Sequence, residues 1–522
     1  MPNSDKPKTK TSLMSLPEKF QQLTTQGYGF AVFPDAHIYE LPGKKAIQHL
    51  IFGDYITPPK KDDGKYKKWT SSLLKRVDDT WWIHVRSRQE EGWMKLDSIQ
   101  LERILEVNFV DIGQGDGCHM VTPADHHFII DAGKRDNMYR FLRWRYNLNN
   151  PGKRLPKFYG LISHCDDDHW KGFEYLLSKI PLAQQRQIKF EKIFHQGILQ
   201  RNGSTLGTVF EDNGTQYLED FILDQEELVE LLELSGKKST YEQLLIGAIK
   251  NFPGLPLETV WKSMGENNIL YQDAVLTVEV LAPIPEEVNG KLCLPWFDPK
   301  PDQIGKTKNG HSIVLMVKIG KMKIMLGGDL NSRAADYLMG KYSGEDVRAL
   351  REQLMKAGPD DVQPLQQKMN AIIEKCREVF QSEVAKSCHH GSHDITNEFL
   401  QAVNPIVTVI SSGDEESHCH PRPETLGAIG KFSRGERPLI YCTELARSSP
   451  EYIQLAAKEN KSDKSKQRIV STYGMITLRT DGERAIISQK LEADRNAFGL
   501  IKKWHIDKLI WNEEREAFVT RE

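Results

Sequence analysis

The stretch Ser163-His164-Cys165-Asp166-Asp167-Asp168-His169 constrains this chain more than any other. It sets three consecutive carboxylates between histidines, and carboxylates are ionised at neutral pH. Packing them together creates self-repulsion that a nearby cation relieves, so a purely structural role fits poorly. The apolar run Tyr159-Gly160-Leu161-Ile162 before it reads as a buried strand, and Trp170 to Leu177 after it has helical spacing of apolar positions. The cluster therefore belongs on a strand-to-helix turn, where a sheet can aim side chains into a cleft. That is the arrangement of a metal site.

At 522 residues the chain has material for two or three domains. A net charge of -2 favours neither nucleic acid nor membrane through bulk electrostatics, so any polyanion must be met by local patches. The seven cysteines are scattered and form no C-x-x-C pair, which argues against a disulfide scaffold or zinc ribbon and fits a reducing compartment. The polar start Met1 to Lys10 lacks the apolar core of a signal peptide, and no apolar run approaches a membrane span. The expectation is a cytoplasmic protein without a membrane partner.

Along the chain, residues 1–25 read as a mobile tail with some amphipathic character near Leu13 to Leu23, and 26–104 as short alternating strands separated by turns. The basic loop Lys60 to Trp69, with its interleaved aromatics, reads as solvated surface or as a handle for phosphates. From Leu105 the pattern is strand, the glycine turn Gly113-Gln114-Gly115-Asp116-Gly117, and strand; Phe128-Ile129-Ile130 then ends in Asp131-Ala132-Gly133. Ile188 to Ile193 leads into His195, and residues 200–272 read as an acidic, mostly helical insertion. A second strand series starts near Val275 and runs into Gly327-Gly328-Asp329. A helical insertion over 333–383 precedes Cys388-His389-His390-Gly391-Ser392. Two strands, 475–478 and 485–488, close the domain at about 490; residues 459–466 read as a flexible loop, and 491–522 form a tail whose Trp504 and Trp511 should pack. His311 and His418 read as loop residues and Ser392 as a turn former.

Two resemblances organise these pieces. The segment "WWIHVRSRQEEGWMKLDSIQL" resembles the last hairpin of bacterial Src-homology-3-type barrels, which implies a small all-β barrel over 26–104 of a kind that binds peptides, cell-wall fragments or a neighbouring domain, and so could take a protein partner. Residues 105–490 resemble the metallo-β-lactamase superfamily, closest to the ComEC-type nuclease domain. The carriers are "VDIGQGD", "IIDAG", "ISHCDDDHWKG", "NGHSIVLMV", "MLGGDL", "HHGSHD" and "VISSGDEESHCHPRPETL", in that order. The resemblance implies an α/β (α+β) architecture, a four-layer αββα sandwich. It departs from the superfamily at Asp166, where most members place histidine, and from ComEC in lacking transmembrane segments and carrying two large insertions.

Carried over residue by residue, the resemblance implies two divalent metal ions. His164, Asp166 and His195 would hold one, Asp168, His169 and His390 the other, and Asp329 would bridge them. Asp168 is assigned to catalysis as well, with His389 and His420 as donors to a phosphate oxygen or leaving group. Asp116 and Asp131 would orient ligand histidines. Histidine and carboxylate donors fit zinc, and the extra carboxylate admits manganese. His195 also reads as a lone structural histidine at a strand end, Asp329 as a turn residue, and the choice between His389 and His390 as ligand stays open. The implied chemistry is phosphodiester hydrolysis of DNA or RNA by a hydroxide bridging the two ions. The alternatives are another phosphoester or an amide as substrate, or a partner-regulated effector of bacterial defence or stress recruited through the barrel.

Overall fold

In the computed structural model the described residues are 15–61, 65–148, 155–177, 188–201, 205–234, 236–413, 419–443, 475–497 and 500–521. His418, the loop 459–466 and residues 1–14 of the expected tail lie outside them. The protein is a mixed α/β chain of helices and several sheets, divided into two units. One unit comprises residues up to Ile104 together with Ala493–His505; the other comprises Leu105–Glu492 and Ile506–Glu522.

In the first unit, Leu16–Gln26 is a helix rather than a mobile segment. Ser15 caps it reciprocally with Glu18, Pro17 sits in its first turn, and Gly27 ends it in the left-handed conformation. Leu23 anchors it in the core among Ala31, Ile38, Leu50, Ile83, Val85 and Met94. Two small sheets build the rest. One orders Tyr55–Ile56, Gly29–Ala31 and Ile99–Gln100; the other orders Ala46–Ile51, Asp35–Tyr39, Glu90–Lys95, Thr80–Ser87 and Leu74–Val77. In the hairpin, Val85 pairs with Gly92 and His84 with Trp93. Gly92 is obligatory because a Cβ there would lie 2.4 Å from the Tyr39 carbonyl oxygen of the adjacent strand.

The second unit holds two large sheets. The first orders Leu257–Thr259, Lys189–His195, Lys157–Ile162, His127–Ala132, Gly117–Val121, Leu105–Phe109, Ile476–Thr480, Arg484–Ala497, Leu500–Asn512 and Ala517–Arg521. The second orders Ile269–Gln272, Leu276–Ala282, Val314–Ile319, Met322–Leu326, Val384–Lys386, Val407–Ile410 and Leu439–Cys442. Val107, Phe109, Met120 and Leu478 of one share a core with Val278, Leu315, Val317, Ile324 and Val407 of the other. On the opposite face of the second sheet, Val314, Met316, Met325 and Ala385 pack against helices Ser332–Ser343, Val347–Lys356, Pro359–Phe380 and Asn397–Val403. A strand covered on both faces needs apolar residues at every position, which is why Ile313 to Val317 reads as a continuous apolar run.

Parallel pairing positions the site. His127–Ala132, Lys157–Ile162 and Lys189–His195 run parallel, as do Met322–Leu326, Val384–Lys386 and Val407–Ile410. Within each sheet their carboxyl ends therefore fall along one edge.

The segment 200–272 is not mostly helical. Besides helices Gln225–Glu233 and Thr240–Asn251 it holds strands Val209–Asp212, Thr215–Leu218, Leu257–Thr259 and Ile269–Gln272. The first two form a hairpin over Asn213-Gly214, both at positive φ (48° and 78°), a two-residue turn that an Asn-Gly pair signals directly. The expected packing of the segment 491–522 is found at Trp504, which is buried, and at Trp511, which packs against the shared core; Leu500–Asn512 and Ala517–Arg521 are strands.

Two outcomes follow for the first unit. Gly92→Val should lower unfolding free energy by about 2–4 kcal/mol through its clash with the Tyr39 strand, read by urea denaturation. Asp35 meets His49 Nε2 at 2.7 Å and Lys502 Nζ at 3.2 Å. Burial pushes its carboxyl up, but His49 and Lys502 outweigh this and hold it down at about 2, below its ordinary 3.8. The associated stability, about 2 kcal/mol, is complete above pH 4 and is lost as pH falls toward 2. Asp35→Asn should flatten the stability profile across that window.

Candidate metal centre

Strand Lys157–Ile162 delivers the chain to Ser163, and the turn there is tied to Asp131, itself at φ 54° at the end of the neighbouring strand. Ser163 donates from its backbone N to Asp131 Oδ1 at 2.7 Å and from its hydroxyl to Oδ2 at 2.6 Å. His169 follows on the short helix Asp167–Trp170 and places Nδ1 2.8 Å from Asp131 Oδ2. A carboxylate can only accept, so Nδ1 carries a proton, and Nε2 is the nitrogen that can serve as a metal ligand once it gives up its own. Asp131 thus orients the His169 ring.

The second sheet supplies the opposing groups. His390 Nδ1 lies 3.0 Å from the Ser411 carbonyl, which fixes its proton there and turns Nε2 toward His169 Nε2, 3.2 Å away. Asp329 lies between them, Oδ1 3.3 Å from His169 Nε2 and Oδ2 3.2 Å from His390 Nε2. Asp116 completes the group with Oδ1 3.2 Å from His390 Nδ1. One ligand atom from each of these four buried residues lies within 4.8 Å of every other, so the group could hold a metal ion. Two glycines permit the approach. At Gly115 (φ 105°) a Cβ would sit 1.7 Å from the Asp168 carbonyl oxygen; at Gly328 (φ 52°), 2.7 Å from Ser312 Cβ.

The electrostatics are those of a site short of positive charge. Burial pushes the two imidazoles toward neutrality, yet Asp329 and Asp131 hold His169 well above its ordinary value, and Asp329 and Asp116 raise His390 to about 10. Lys386, buried and contacting Asp116, also donates to the Gly328 carbonyl at 2.9 Å. Even so, Asp116 Oδ1 and Asp329 Oδ1 are buried without a hydrogen bond. Unsatisfied buried carboxylate oxygens are expensive, and a cation coordinated by two imidazoles and two carboxylates removes the deficit. The donor set fits a divalent ion such as zinc.

The remaining expected residues fall around this group. Asp168 Oδ2 is 3.6 Å from His390 Nε2 and accepts from Gln114 Nε2 at 3.4 Å, so it lies beside the four. His164 directs Nδ1 at Ser163 and Ser312 (3.1 and 3.3 Å) and leaves Nε2 buried without a hydrogen bond, 3.5 Å from Asp166 Oδ2. Asp166 is met by the Lys308 ammonium on Oδ1 and, in the amide orientation that satisfies both sides, by Asn309 Nδ2 at 2.7 Å from Oδ2. His195 ends its strand with Nδ1 accepting from Gly197 N at 3.2 Å, and burial holds its ring at about 4, so it is neutral. It is not among the four clustered residues. His389 points Nε2 to within 3.9 Å of Asp329 Oδ2 with its side chain 26% exposed, and the His420 ring lies 5.9 Å from it. The geometry therefore separates His390, inside the group, from His389 at its rim. Asp167 pairs outward with Lys171 at 3.0 Å, and burial pushes the Cys165 thiol up to about 12.

Three participants were not expected in these places. Asp116 joins the ligand group instead of only orienting it, and the strand-bounded glycine turn that carries it was the available signal. Lys386 and Lys308 enter the site as counter-charges, and no pattern in the sequence distinguishes them from surface lysines.

No known family model and no curated protein matches the chain. Among solved structures, a protein of unknown function from Enterococcus faecalis V583 matches at 11% identity and a TM-score of 0.21, over 57% of this chain and 56% of that one. The chain thus spans little more than half the length of that structure.

Asp131→Asn should weaken Zn2+ binding about 10–100-fold by releasing the His169 ring, read by calorimetric titration, with the circular dichroism spectrum retained.

Proposed function

We propose that this chain is a metal-dependent phosphodiesterase of metallo-β-lactamase type that cleaves nucleic acid. The observation that carries the reading is the convergence of Asp116, His169, Asp329 and His390 from four separate segments onto one buried group. Motif order supports the ComEC-like assignment, and the two sheets sharing one core are compatible with the sandwich that the assignment implies. On the same reading the first unit is the Src-homology-3-like barrel.

Each residue has a defined task. Asp131 and the Ser411 carbonyl fix the tautomers and aim both imidazole Nε2 atoms inward. Asp116 and Asp329 add two carboxylate donors, and Lys386 limits their mutual repulsion. A divalent cation, zinc or manganese, supplies Lewis acidity and charge compensation at phosphorus when bound there. His389, largely buried and shifted down by that burial, is a neutral imidazole at the rim, able to hydrogen-bond a phosphate oxygen. Asp168, anchored by Gln114, faces the same side as His390 Nε2 and can accept a proton there.

The test incubates the full chain with single-stranded DNA, double-stranded DNA and RNA in Zn2+ or Mn2+. Cleavage that EDTA and Asp329→Ala each abolish is the expected result. Absence of cleavage of all three polymers with either metal, or cleavage indifferent to EDTA, overturns the proposal.

A further inference from the structure

The resemblance implies two ions, with His164, Asp166 and His195 holding the first. The structure fills that half differently. The Lys308 ammonium contacts Asp166 Oδ1 and donates to Gln200 Oε1 at 3.2 Å. Lys308 lies on the short helix Gly305–Gly310 with only 9% of its surface exposed, and a buried lysine is retained as a cation only when paired. Its backbone is held as firmly as its tip. Gln196 accepts from Cys165 N at 2.8 Å through Oε1 and donates to the Lys308 and His311 carbonyls at 3.1 and 3.0 Å. One amide thus clamps the helix bearing the ammonium to the turn bearing Asp166. Asn309 occupies the other Asp166 oxygen. Both carboxylate oxygens of the expected first-ion ligand are therefore engaged, one by a full positive charge that repels a divalent ion at contact range. Among the described residues, the four-residue group around Asp329 is the one whose ligand atoms cluster, and it contains none of His164, Asp166 and His195.

We propose that Lys308 stands in place of one metal ion, so that the site binds a single divalent ion at Asp116, His169, Asp329 and His390. This rests on the metal-centre reading above and narrows it. The lysine neutralises Asp166 permanently, while the exchangeable ion serves the other half. His164 Nε2 and His195 Nε2, both buried without hydrogen bonds, are the donors a second ion would gain if the ammonium were removed.

The experiment measures metal content of the full chain by mass spectrometry after chelator treatment and dialysis against excess Zn2+, and separately Mn2+. One ion per chain is expected for the wild type, one for Asp166→Asn and none for Asp329→Asn. Lys308→Met, which keeps the apolar stem, should take up two. Two ions in the wild type overturn the lysine's role while leaving the metal-centre reading intact; no ion in the wild type overturns both. One wild-type ion that is lost in Asp166→Asn and kept in Asp329→Asn also overturns it, as does a Lys308→Met protein of native circular dichroism that stays at one ion.

Discussion

Buried carboxylates at the meeting of strand ends are the constraint on which the site depends. Asp116, Asp131 and Asp329 are each almost fully buried, and Asp166 faces the same His164 Nε2 as Asp329, at 3.5 and 3.9 Å. Desolvating several like charges together is untenable unless each finds compensation, and the protein gives each its own partners. Asp131 takes hydrogen bonds from Ser163 and His169, Asp166 takes an ammonium from Lys308, and Asp116 takes one from Lys386. Asp329 has the His169 and His390 imidazoles at 3.3 and 3.2 Å, those of His164 and His389 at 3.9 Å and the Lys386 ammonium at 3.8 Å, and its Oδ1 still lacks a hydrogen bond. The unsatisfied Asp329 oxygen thus lies in the buried group of Asp116, His169, Asp329 and His390 that could hold a metal ion.

The sheets make that grouping affordable in geometric terms. Parallel strands end at one edge, so residues far apart in sequence arrive together without long connecting loops. Glycines then let backbone pass where a side chain could not, as at Gly115 beneath the Asp168 carbonyl. His389 and His390 both adopt left-handed backbone conformations (φ 47° and 54°), uncommon for non-glycine residues, in the turn that sends one ring inward and one to the rim. The hydrogen bond from His390 Nδ1 to Ser411 and that from His389 N to the Gly328 carbonyl at 3.1 Å hold the strained turn in place.

The misreadings share a physical cause. The amphipathic spacing at 224–232 marks the helix Gln225–Glu233, but helix does not extend over most of 200–272, because the Asn213-Gly214 turn sets a hairpin inside it and local turn chemistry outranks the pattern of a neighbouring stretch. The start of the chain read as a tail because its apolar content is low, although Ser15-Leu16-Pro17-Glu18 carries a complete helix-start signal and Leu23 alone suffices to dock the helix.

By itself the sequence determined the strand-to-helix turn at 163–169, the strand ends that carry Asp131, Asp329 and His390, and the demand for positive charge, because apolar periodicity and like-charge repulsion act over neighbouring residues. Only the tertiary structure decided which atoms answer that demand. Choosing His390 over His389, bringing Asp116 into the ligand group, and setting Lys386 and Lys308 against carboxylates all depend on contacts between residues tens to hundreds of positions apart. Distances at that range come from the packing of two sheets against each other, which no local pattern of residues encodes.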